Sequence, residues 1–237
     1  MTSLPKIDYP IYNILVPSLK KEFKFRPFLV KEEKILFMAK ESENEADVFN
    51  AIKQIATNCS LEKTLNIDDI AIFDLEYIFL KLRAISVDNK IKISYRNPED
   101  DKVYDFDVDL NDVKITIPEK VNNVIKINEK IGLILKYPSA SLYSDYEFLN
   151  LQKDHLFELI IRCIDKIFFE DEIFEAKNFQ KKELEEFLEN LSVKVFEDVK
   201  NFFENSPKLI HEINYKNSLG NDSKIVLSSL NDFFSWR

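Results

Sequence analysis

Asp105, Asp107 and Asp109 alternate with Phe106, Val108 and Leu110, so a strand here would carry three carboxylates in a row on one face. With Asp100 and Asp101 just before them, they are the residues best suited to hold a cation, because hard divalent ions take clustered oxygen ligands. The glycine turn and ligand spacing of the known calcium loop are missing. A solvated strand face that discourages edge-to-edge pairing accounts for the same residues, and no metal or other cofactor is expected. His155 and His211 stand in no ligand spacing with each other or with a cysteine, which excludes the usual zinc motifs. His155 is expected at a helix start and His211 in a strand. Cys59 and Cys163 each continue an apolar helical stripe and read as buried thiols in a reducing compartment. The pairs Glu32/Glu33, Glu170/Asp171 and Glu185/Glu186 could do acid–base work only where their surroundings drive two pKa values apart. Each is expected on a polar helix face or end. No serine or cysteine sits in a nucleophile elbow, and the expectation is a protein that is not an enzyme.

Composition narrows the partners. Lys and Arg total 33 against 42 Asp and Glu, a formal charge of −9 with no basic run, so nucleic acid is not an expected partner. Two glycines in 237 residues, Gly132 and Gly220, leave little material for loops that cradle phosphate through close backbone approach. No apolar run approaches the ~20 residues a membrane span needs, and no signal-peptide core opens the chain. A soluble, cytosolic protein without membrane contact is expected. The chain instead is rich in aromatic side chains, with 20 Phe, 9 Tyr and one Trp. The doublets Phe168-Phe169, Phe202-Phe203 and Phe233-Phe234 cannot all face inward from both positions, which makes protein interfaces the expected chemistry.

The elements that must position these residues follow from periodicity. Residues 11–16 and 22–26 bracket Pro17-Ser18-Leu19-Lys20 as an opening hairpin. Helices are expected over 31–40 and 43–58, the second with Val48, Ile52, Ile55 and Cys59 on one face. From Ile72 to Arg83 the stripe Ile72, Leu75, Phe79 and Leu82 marks a buried helix, with Asp74, Glu76, Lys81 and Arg83 outside it. The period then changes to two. Ile91 to Tyr95 and Phe106 to Leu110 form a hairpin across Asn97-Pro98-Glu99-Asp100-Asp101, Val113 to Ile117 is extended, and 124–127 with 131–137 form a second hairpin. Leu156, Leu159, Cys163 and Ile167 give a further helical stripe, with Glu158 and Arg162 as an i,i+4 pair. Leu184 to Leu191 and Val195 to Phe203 are the last two helices, followed by a closing hairpin over 209–215 and 224–227.

The reading is an α+β fold with helical clusters near both ends of a β-hairpin-rich middle. It divides into residues 1–138, an N-terminal helical cluster with hairpins, and 139–237, C-terminal helices with the closing hairpin. Ile93, Tyr95, Asn97, Leu110, Asn111 and Asp112 recur as Ile213, Tyr215, Asn217, Leu230, Asn231 and Asp232, each shifted by 120 residues. An internal helix-plus-hairpin duplication would produce that repeat.

Two segments are more specific. Lys24-Phe25-Arg26-Pro27-Phe28-Leu29-Val30-Lys31-Glu32-Glu33-Lys34 and Ile72 to Ala84 resemble the baseplate proteins of T4-type contractile-tailed phages, as do Phe202 to Leu209 and Leu230-Asn231-Asp232-Phe233-Phe234. The resemblance implies a baseplate hub subunit or hub assembly factor that works through contacts with hub, tail and tape-measure proteins in the host cytoplasm or in the finished tail. It points to Arg26, Phe28, Tyr77, Arg83, Phe233, Phe234 and Trp236 as partner-binding residues. Some relatives carry cysteine pairs at the hairpin tips, in the manner of zinc ribbons. Here the tips read Asn97-Pro98-Glu99-Asp100 and Asn217-Ser218-Leu219-Gly220, so no metal carries over and packing alone is expected to hold the hairpins.

Overall fold

The computed structural model describes residues 7–42, 44–116, 118, 121–149, 151 and 155–234. In chain order the elements are β1 (Tyr12–Val16), β2 (Lys21–Phe25), α1 (Val30–Glu41), α2 (Glu45–Cys59), α3 (Ile72–Ser86), β3 (Lys90–Arg96), β4 (Val103–Asp109) and β5 (Lys114–Thr116). There follow β6 (Val124–Lys126), β7 (Ile131–Leu135), α4 (Tyr146–Leu149), α5 (His155–Cys163), β8 (Ile164–Phe169), β9 (Glu172–Glu175), α6 (Lys181–Glu189) and α7 (Val193–Glu204). The last are β10 (Lys208–Lys216), β11 (Asp222–Leu227) and α8 (Leu230–Phe233). The mixed α+β class is as the periodicities predict.

The chain forms two compact units, one of residues 1–116 with 208–237 and the other of residues 117–207. The sequence reading placed a single division at 138/139. What it missed is a non-local pairing: β5 joins β10 antiparallel, Lys208 facing Thr116 and Leu209 facing Ile115. That pairing returns the closing hairpin to the first unit, and no local pattern announces a partner so far away in sequence.

In the first unit β1 and β2 pair over the expected turn, and β11-β10-β5 and β3-β4 make two further small sheets. Their core gathers on α3. Leu75, Ile78, Phe79, Leu80 and Leu82 are fully buried, and each such side chain contributes about 1.5–3 kcal/mol through removal of apolar surface from water. The helix is enclosed more widely than its stripe predicted. Asp74, expected on the outer face, is completely buried and accepts hydrogen bonds from the backbone and hydroxyl of Ser18 in the β1–β2 turn. α2 begins at Asn44, whose side chain accepts from the Ala46 N–H at 3.0 Å, and buries Ile52, Ile55 and Cys59 as its spacing predicts.

The second unit is a sheet in the order β6-β7-β8-β9. Ile125, Leu133 and Leu135 pack with Ile160, Leu184, Leu188, Val199 and Phe202 from the helices. Here the expected long helical stripe ends early. α5 stops at Cys163, and Ile167 lies on β8, facing Leu133 of β7 and Phe174 of β9. The run Ile164 to Phe169 suits a pleated strand better than a fourth helical turn, and the coincidence of spacing hid the change. Leu156, also assigned to the stripe, is 40% exposed, whereas Glu158 and Ile160 are buried. Glu170 and Asp171, expected on a helix, form the two-residue turn of the β8–β9 hairpin, with Glu170 at φ 52°.

Candidate functional site

The first family-like segment folds into a corner. Arg26 donates from Nη2 to Glu32 Oε1 at 2.9 Å and from Nη1 to Glu32 Oε2 at 3.1 Å, and Nη1 also donates to the Pro27 carbonyl. Glu32 is wholly buried, and its Oε2 also accepts from the Leu29 N–H at 3.0 Å, capping α1. Burial alone would raise its pKa; Arg26 and the Leu29 amide outweigh burial and hold it below its ordinary value. The corner is pinned to α3 where the Phe28 N–H donates to Ser86 Oγ at 2.7 Å and the Phe28 ring lies 5.7 Å from that of Phe79. Arg26 and Phe28 therefore face inward, with Phe28 buried.

On α3, Lys81 donates to the carbonyls of Leu110 and Asn111, both at 3.1 Å, and its ammonium stands 5.1 Å from the centre of the Tyr77 ring. Tyr77 and Arg83 are half-buried, and Arg83 Nη1 is buried without a hydrogen-bond partner. The end of the described chain docks on the same helix. Phe233 is buried, Phe234 meets the Phe79 ring edge-on at 5.9 Å, and the Leu230 N–H donates to the Glu76 carboxylate. Burial, with Asp232 close by, pushes Glu76 up to about 7 despite that bond. Trp236 lies outside the described residues.

The hairpin tips are joined by a network that sequence reasoning did not foresee. Asn97 and Asn217 are buried, and each folds its own tip by accepting from the amide two residues on, Glu99 N–H at 2.7 Å and Leu219 N–H at 3.1 Å. Each then crosses over. Asn97 Nδ2 donates to the Tyr215 hydroxyl at 2.7 Å, and Asn217 Nδ2 donates to Glu99 Oε2 at 2.6 Å. Ser218 donates from its N–H and its hydroxyl to Asp100 Oδ2, at 2.9 and 2.8 Å, and Tyr104 donates to the same oxygen. These donors hold Asp100 far below the ordinary carboxylate range. The Tyr215 ring meets two rings of β4, tilted against Tyr104 at 4.9 Å and edge-on to Phe106 at 5.1 Å. The expectation that packing alone holds the hairpins is corrected: polar side chains cross-brace them. The signal was in the sequence, since both asparagines belong to the repeat. The duplication itself is not established, because β10 takes a third strand that β3 lacks and α7, the helix before β10, belongs to the other unit.

The remaining sequence candidates stay apart. Asp105 accepts from Ser94 Oγ at 2.6 Å, Asp107 faces Lys92 across the hairpin, and Asp109 accepts from the Asn111 N–H and Asn89 Nδ2, both at 2.8 Å. Among the described residues no group of His, Cys, Asp and Glu is arranged to hold a metal ion. His155 starts α5 and His211 lies in β10, as expected. Both cysteines are buried and unpaired, with thiols pushed up to about 12 by burial. In the second unit Glu158 is buried between Arg162 and Lys181, and Arg162 also pairs with Asp145, so the carboxylate that burial would otherwise tune is held ionised below its ordinary value.

A buried polar corner, a docked terminal turn and two braced hairpins describe a scaffold whose specific polar residues are spent on its own shape. The chain belongs to the T4 bacteriophage base plate protein family, whose model it matches over residues 9–235. No curated protein and no solved structure matches it. Among the described residues no helix is long and apolar enough to cross a membrane.

Proposed function

We propose that this baseplate protein is a non-enzymatic assembly factor for the baseplate hub, escorting hub or tape-measure chains in the host cytoplasm before the tail tube grows. The observation that carries the reading is the family match across nearly the whole chain. It is supported by the way the family-like segments are used. Arg26, Phe28 and Phe233 serve the fold, whereas Tyr77 and Arg83 on α3, and Phe234 packed against Phe79 of that helix, keep solvent access, and these three carry the partner contact.

The test is recovery of the tagged chain from infected cells, together with mass spectrometry of purified particles. Hub or tape-measure chains in the pull-down, with this protein missing from particles, support the escort role. A fixed copy number in particles makes it a permanent structural subunit of the baseplate instead. Arg83→Ala is expected to weaken recovery of partners while leaving the circular dichroism spectrum unchanged.

A further inference from the structure

β9 forms one edge of the second unit's sheet, and among the described residues it pairs with β8 alone. Natural edge strands are commonly shielded by Lys, Pro or a bulge. This one carries Ile173, 63% exposed, and Phe174, 38% exposed, side by side on opposite faces. Phe169, at 43%, shares the face of Phe174, and the Phe179 ring meets Phe174 at 6.3 Å. Apolar side chains thus converge on the edge from both faces, so covering either face alone would leave the other wet.

The phase of the ladder shows which backbone groups are unused. The Glu170 N–H donates to the Lys130 carbonyl at 2.7 Å, so even-numbered residues of β8 bond toward β7 and odd-numbered ones toward β9. Phe169 faces Glu172 and Ile167 faces Phe174. The backbone groups of Glu172 and Phe174 therefore turn inward, and those of Ile173 and Glu175 turn to the open edge. The strand is also electrically polar along its length. Glu170, Asp171 and Glu172 stand at its start, while Glu175 at its end is met by Lys166 at 3.3 Å and Lys177 at 3.9 Å. The Lys177 side chain remains 79% exposed.

We propose that β9 is a self-association edge: two copies of this chain pair antiparallel through residues 173–175 about a two-fold axis at Phe174, extending the sheet from one copy into the next. An antiparallel second copy is the occupant because it reverses the charge order, setting the acidic start of each strand beside the basic end of the other. Directly facing residues share a sheet face, so the axis must pass through a residue, Ile173 or Phe174. An axis at Ile173 would oppose Asp171 to Glu175 and would use the outward groups of Glu175 on a turn residue. An axis at Phe174 lets Ile173 of each copy exchange backbone bonds with Glu175 of the other, opposes Phe174 to itself, and sets the acidic start of each strand toward the end of the other where the exposed Lys177 stands. Aromatic pairs and opposite charges across strands stabilise, and like charges directly opposite do not.

Sedimentation and light scattering of the full chain test this. A concentration-dependent dimer is expected, with Phe174→Lys at least tenfold weaker because two ammonium groups then meet at the axis. The second variant reads the register. Across a non-hydrogen-bonded pair the Cα atoms stand about 4.5 Å apart, inside disulfide range, so Phe174→Cys should form a linked dimer on mild oxidation and Ile173→Cys should not. The native cysteines, buried with thiols pushed up to about 12, do not compete. A chain that stays monomeric at every concentration, or one that links as readily through Ile173→Cys, overturns the proposal.

Discussion

Asn97 and Asn217 perform the same two acts in two different hairpins: each closes its own tip with its side-chain oxygen and braces the other hairpin with its side-chain nitrogen. Buried at 2% and 4% exposure, neither can exchange these bonds for water without opening the tips. Asn97→Ala and Asn217→Ala are each expected to cost about 1–3 kcal/mol, the penalty of leaving buried partners unmatched, read from urea unfolding. Asn217→Asp should cost more than the alanine variant, because it sets a carboxylate against Glu99. Equal costs would mean that only the tip closure matters.

The Arg26–Glu32 pair makes a prediction of a different size. Removing one member of a buried, bidentate pair strands the other charge, which costs about 3–5 kcal/mol. Arg26→Met and Glu32→Gln should each approach that range, while Arg26→Met/Glu32→Gln together should lose much less than the sum. Additive losses in thermal unfolding would mean that the two side chains act independently.

Glu76 makes the docking of the terminal turn depend on pH. Its folded value, about 7, lies above the ordinary 4.5, so the folded state holds the proton more tightly. The associated stability is full below pH 4.5 and is lost as pH rises through about 7, an effect on the order of 3 kcal/mol. Glu76→Gln, which keeps an acceptor for the Leu230 N–H, should flatten that dependence and stabilise the protein at pH 8. Hydrogen exchange at the Leu230 amide is the direct readout, and exchange protection unchanged between pH 5 and pH 8 would sink the idea.

Gly132 is needed for space. A Cβ there would lie 2.2 Å from Phe168 Cζ and 2.7 Å from the Ile125 carbonyl oxygen. Gly132→Ala is expected to cost about 1–3 kcal/mol, as overpacking does. Trimming the ring in Gly132→Ala/Phe168→Ala should not restore the loss, because the backbone oxygen of β6 remains in the way.

How much of this was legible in the sequence depended on range. The β1–β2 and β3–β4 hairpins, α2, α3, α6 and α7 are written in local periodicity, and each forms where its pattern predicts. The β5–β10 pairing is not, because three residues of extended chain say nothing about a partner beyond residue 200. The switch from α5 to β8 was masked because Ile167 happened to continue a helical spacing. At the candidate sites, residue type was visible and burial was not: Arg26 and Glu32 looked like surface charges, and only the fold turns them toward each other. The paired asparagines were visible as a repeat, but the cross-brace they make depends on two hairpins meeting.

The pairing of Thr116 with Lys208 places the entrance and the exit of the second unit on neighbouring strands of the first. During synthesis the ribosome therefore delivers a complete inner module before it delivers β10 and β11, without which β5 has no partner and the β3–β4 tip has no brace. The first unit is therefore completed last, although most of its chain is made first. A stalled or prematurely released chain would accordingly leave β5 without its partner strand and α3 without β10 until the closing hairpin arrives.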